Sequence, residues 1–168
     1  DALDTTVDLQ ILAPAAMAPS ESLAQAEARA EQLVTDFLKR PDAREQLFAL
    51  FKGEQPGDQA TPEWQAAVDQ LLAQAEQGDL NVRVELRSAA ELQGAKGAFS
   101  ATGTTGEATI YLNADWVATA DSESVAIVLT EELGHYLDHA INGDADTAGD
   151  EGEVFAQFVV NGTQPLSV

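Results

Sequence analysis

The chain has 168 residues, 45% of them hydrophobic, enough to bury one core and too few for several independent domains. Its 29 acidic against 8 basic residues give a formal charge of -21, a surface that repels phosphate backbones and anionic headgroups. Nucleic acid and membranes are therefore excluded as expected partners, and cations are favoured.

Residues 1–19 read as an irregular segment, in which LQILAPAAMAP is broken by Pro14 and Pro19 and carries no basic flank. No apolar run is long enough for a bilayer-crossing helix. The start at Asp1, without a methionine, reads as an excised or processed piece whose export signal lies elsewhere. The absence of cysteine fits either side of a membrane.

Residues 20–78 read as helical. Ser20 is a suitable cap, and Leu23, Ala26, Ala30, Leu33, Val34, Phe37 and Leu38 recur at helical spacing up to Pro41. A second helix runs from Pro41 to Gly53 with Leu47, Phe48, Leu50 and Phe51 inward. After the loop GEQPGDQA, Thr61 caps a third, with Pro62 at its first position and Trp64, Val68, Leu71, Leu72 and Ala75 on its apolar side.

From residue 79 to 168 the period changes. NVRVELR alternates like a half-buried strand, a turn around AAELQ leads to GAFSA, and TGTTGE supplies hairpin glycines before the strand ATIYLNA. Tyr111 is placed on an edge strand as a packing residue, and Trp64 and Trp116 also read as packing residues. A long helix spans Asp121 to about Ile141, and a last one runs from about Glu151 to Val160. The whole is an α+β chain with a small, mainly antiparallel sheet. It forms one compact domain with the helical region.

On a wheel of about 100° per residue, Val125, Leu129, Leu133, Tyr136, Leu137 and Ala140 face the core. Glu131, Glu132, His135, Asp138, His139 and Asn142 share an arc of about 120° on the other side. This stripe holds both histidines of the chain. A solvated polar face explains such a stripe as readily as a site does, but the acidic turn INGDADTAGDEGE folds more carboxylates back toward it.

Three readings of the site compete. Glu131-Glu132-Leu133-Gly134-His135 is H-E-x-x-H with glutamate in the first place, making Glu131 and His135 metal ligands one turn apart and Glu132 a general base. Glu151 or Glu153 would supply the third ligand. His135-Tyr136-Leu137-Asp138-His139 is the inverted motif with a shorter carboxylate, which keeps two imidazoles. Asn142, Asp144, Asp146, the Ala148 carbonyl, Asp150 and Glu153 take the places of a calcium loop, although Thr147 stands where a glycine makes the turn.

Residues 97–162 resemble a zincin metallopeptidase core: the strand ATIYLNADW lining a cleft, the site helix, then a glutamate-bearing helix. TIYLNADW, VLTEELGHYLD and GDEGEVFA resemble more closely a domain of large secreted bacterial proteins, notably cyanobacterial ones with RTX-type calcium-binding repeats. Its pattern falls on Glu131, Glu132, Gly134, His135, Asp138, Asn142, Gly149, Asp150, Glu151, Gly152, Phe155 and Ala156, and His139 lies outside it. The resemblance favours the first reading and implies a secreted, metal-dependent peptidase acting on a peptide or protein substrate. Asp138 would orient His135 through its other ring nitrogen.

One imidazole and two carboxylates lower the Lewis acidity of zinc and suit manganese or iron as well. The alternative is a non-catalytic calcium-binding interaction or structural module. In a third arrangement residues 20–78 cover the cleft as a pro-segment, with GEQPGDQATP as the processing site.

Overall fold

A computed structural model describes residues 9–12, 21–51, 61–77, 80–103, 106–142 and 151–161. The order is β1 (Leu9–Leu12), α1 (Glu21–Leu38), α2 (Ala43–Phe51), α3 (Pro62–Glu76), β2 (Leu80–Arg87), β3 (Gly97–Ser100), β4 (Thr109–Asn113), α4 (Ala114–Val117), α5 (Ser122–Asn142) and α6 (Glu151–Asn161). The class is α+β. None of the described helices is long and apolar enough to cross a membrane.

The helix starts follow from local chemistry. The Thr61 side chain accepts from Trp64 N at 3.1 Å, capping α3, with Pro62 in the first turn, where its missing N–H has no intrahelical partner to lose. Asn113 accepts from Trp116 N at 3.0 Å and so turns the end of β4 into α4, a helix that the strand-like run ATIYLNA conceals.

Four strands form one sheet in the order β1-β2-β4-β3. The expected antiparallel character is corrected here, because β1 pairs β2 and β2 pairs β4 in parallel, and only β3 and β4 are antiparallel. The three helices between β1 and β2 supply the long crossover that a parallel pair needs. β3 reaches its place by the hairpin to β4, so β3 is the edge and β4, with Tyr111, is interior. β1 also corrects the reading of residues 1–19 as wholly irregular.

α5 is the central helix. It packs against α1, α6, α3, β3 and β4, and Leu129, Leu133 and Leu137 are fully buried on it. Phe155 of α6 meets Phe37 of α1 edge-on at 5.2 Å and Phe51 of α2 at 5.8 Å. The Trp64 indole is buried against Phe48 and donates to the Phe51 carbonyl at 3.2 Å. This interlocking is at odds with a removable pro-segment: α1 and α2 build the core around α5, and the chain of residues 20–78 joins two paired strands.

Candidate functional site

Because α5 is covered on several sides, its polar residues part company. Glu132 and Asp138 are buried, at 9% and 1% exposure, whereas Ala140, placed on the core face by the wheel, is exposed. The wheel assumes burial on one side only. A helix with neighbours all round has no solvated face to which a whole stripe can belong.

Toward α6 stand Glu131, Gly134 and His135. A side-chain carbon built on Gly152 would lie 2.7 Å from His135 Nε2 and 2.5 Å from the Glu131 carbonyl oxygen, both inside contact distance. One built on Gly134 would lie 3.0 Å from Gly152 Cα and 3.1 Å from Phe155 Cδ2. The two glycines thus let the helix backbones approach closely, which sets the first turn of α6 directly on the His135 imidazole. Glu131 lines a cavity of about 190 Å³ further along the same seam, opposite Glu153.

Toward the edge strand stand Glu132, Tyr136 and His139. A side-chain carbon on Gly97 would lie 2.9 Å from Val128 Cγ1 and 3.4 Å from Glu132 Cγ, so the glycine allows β3 to lie flush along the helix beside the carboxylate. Phe99, two residues on and on the same face of the strand, has its ring 6.1 Å from Tyr136 and 6.3 Å from His139. Burial raises the Tyr136 phenol above its ordinary value. His135 and His139, one turn apart, therefore have different surroundings, α6 for one and an aromatic of β3 for the other.

Toward α2 stand Asp138 and Asn142. Asn142 Nδ2 donates to Asp138 Oδ1 at 2.6 Å and to the Phe51 carbonyl at 2.8 Å, the same carbonyl that Trp64 engages. Asp138 is thus part of a buried polar link between α2, α3 and α5.

No family model, curated protein or solved structure matches this chain.

Glu131 and His135 are brought to one seam, with Glu132 on the adjoining sector of the helix. Glu151 is the first residue of α6 and neighbours the Gly152 that touches His135, though its side-chain placement lies outside the described residues. So do Asp144, Asp146 and Asp150 of the calcium loop. Among the described residues no three His, Asp or Glu side chains form a metal-holding group. Glu153 is exposed and shares the cavity wall with Glu131. Gly97 and Phe99 belong to no motif of the sequence, whereas Gly134 and Gly152 stand in the pattern of the resemblance without a role attached to them. Gly134 was the available signal, since a helix interior keeps glycine at a cost of roughly 1 kcal/mol and needs a reason to do so, whereas Gly152 stands in the first turn of α6.

Proposed function

We propose that the protein is a metal-dependent peptidase in which Glu131, His135 and Glu151 hold a divalent cation and Glu132 is the general base. The observation that carries this reading is the glycine at position 152: a side-chain carbon there would lie 2.7 Å from His135 Nε2, so only glycine lets the turn that begins with Glu151 come this close to the ring nitrogen. The ring nitrogen faces an α6 turn that carries a carboxylate at its first residue and presents no bulk at its second.

The donor set fits a cation. Glu131 and His135 lie one helical turn apart, about 6 Å along the axis, the spacing at which two side chains of one face can share a ligand. The large acid excess of the chain favours a bound positive charge. One nitrogen and two carboxylates accept zinc, manganese or iron. A divalent ion supplies Lewis acidity at such a place, polarising a peptide carbonyl and making water acidic enough to lose a proton near neutral pH.

Glu132 then takes a proton from the attacking water and passes it to the leaving amine. Its burial in the seam between α5 and β3 keeps it close to where a peptide laid along the edge strand would run. The Phe99 and Tyr136 rings, 6.1 Å apart, give that seam an apolar side.

The test is the metal content of protein purified without chelators, measured by mass spectrometry beside His135→Ala and His139→Ala. One zinc, manganese or iron per chain, lost in His135→Ala and kept in His139→Ala, is expected. Glu132→Gln should keep the metal and lose peptide cleavage by at least about 100-fold. Calcium as the only bound metal, indifferent to both histidine changes, would move the site to the acidic loop after Asn142 and make the protein a calcium-binding module instead.

A further inference from the structure

The cavity in the α5–α6 seam is lined by Ile127 and Glu131 from α5 and by Glu153, Ala156, Gln157 and Val160 from α6. On α6 the four positions are spaced i, i+3, i+4 and i+7, a single stripe, and on α5 the two are one turn apart. Ile127, Ala156 and Val160 supply apolar walls. Glu153 and Gln157 supply acceptors, while Glu131 is engaged by the cation in the reading above. At about 190 Å³ the space is smaller than the roughly 300 Å³ at which pockets begin to take drug-sized molecules, so it fits one side chain rather than a whole ligand.

Charge decides which side chain. None of the six described lining residues is basic, and Glu153 is a carboxylate outside the proposed ligand set, in a chain that carries only 8 lysines and arginines. An acidic side chain entering would meet like charge from Glu153. A long aliphatic stem tipped with a cation would cover the apolar walls with its methylenes and set its N–H donors on the Glu153 carboxylate and the Gln157 amide oxygen. Glu131 lines the cavity and lies one helical turn from His135, so an occupant would sit alongside the proposed ligand pair.

We infer that this cavity seats a lysine or arginine side chain of the peptide substrate, next to the scissile bond, with Glu153 as the selecting residue. The inference rests on the peptidase reading above for its biological meaning, and it deepens that reading by naming the substrate class.

The full 168-residue chain, loaded with zinc, is incubated with a peptide mixture and the cleaved bonds are mapped by mass spectrometry. Cleavage should fall beside lysine and arginine at least tenfold more often than beside other residues. Glu153→Lys should abolish that preference. Glu63→Lys, the same change of charge at an exposed position on α3, should retain it. Cleavage without a basic preference, or with one that Glu153→Lys leaves intact, overturns the inference while the peptidase reading stands.

If nothing is cleaved, the peptidase reading falls and the seat is judged by binding alone. N-acetyl-lysine methylamide and its norleucine counterpart are then titrated into the same protein at about 150 mM salt, where the Debye length is about 8 Å and distant charges are screened. Lysine binding at least threefold tighter, lost in Glu153→Lys and kept in Glu63→Lys, sustains the seat. Equal affinities end it.

Discussion

Position 152 tests the site at the scale of one residue. Gly152→Ala would drive a methyl group against the Glu131 carbonyl oxygen, which is backbone and cannot swing aside, and against His135 Nε2 at the far end of its side chain. Overpacking of this kind costs typically 1–3 kcal/mol and shifts backbone. We expect both a lower unfolding midpoint and loss of the transition metal proposed to bind here. Gly134→Ala is the control, since its methyl would press on Gly152 Cα and Phe155 and leave Nε2 uncovered. It should lower stability comparably yet retain more metal. Metal content equal in the two variants would show that the space in front of Nε2 is not where the cation sits.

At the scale of elements, α5 shows what a sequence carries and what it does not. Its extent, its Leu129, Leu133 and Leu137 core line and its neighbour α6 follow from the helical period, because apolar spacing is set by the helix itself. The burial of Glu132 and Asp138 depends on which elements come from far along the chain to cover the other side, and local spacing holds no record of that. The strands repeat the lesson. The alternation in NVRVELR marks β2, but alternation is the same for parallel and antiparallel neighbours, so the directions of β1 and β4 relative to it were beyond reach. β1, four residues long, is below the length at which a period can be counted.

Asn142 is the element-scale case with a measurable consequence. As a sequence position it is the first oxygen ligand of a calcium loop, whereas in the fold its amide nitrogen joins the end of α5 to the end of α2 through Phe51 and to Asp138 within α5. Asn142→Ala removes a donor from two buried acceptors, one of them a carboxylate at 1% exposure. The Phe51 carbonyl keeps its bond from Trp64, so the cost is that of two lost hydrogen bonds, one of them to a carboxylate, about 1–3 kcal/mol. Urea unfolding should show a loss in that range, and a change below about 0.5 kcal/mol would mean that the link holds nothing together.

For the whole molecule, the acid excess makes pH the main external control on stability, and one carboxylate concentrates the effect. Glu27 on α1 has Oε2 buried without a hydrogen-bond partner among the described residues. Burial first, and the Glu31 carboxylate second, push its pKa from the ordinary 4.5 up to about 7. The folded state therefore holds this proton more tightly than the unfolded state does. Below pH 4.5 both states are protonated and Glu27 has no differential effect; between 4.5 and 7 stability falls as pH rises; above 7 the full penalty applies. Because the side chain is only partly buried, solvent screening reduces the penalty to about 1–2 kcal/mol. General repulsion among the other acids also grows with pH, so the effect must be read as a difference between two proteins of otherwise equal charge. Glu27→Gln should match the wild type near pH 4.5 and exceed its stability by about 1–2 kcal/mol at pH 8, in urea titrations at both values. A constant offset at the two pH values would assign the change to packing of α1 on α5 and remove Glu27 from the pH response of the fold.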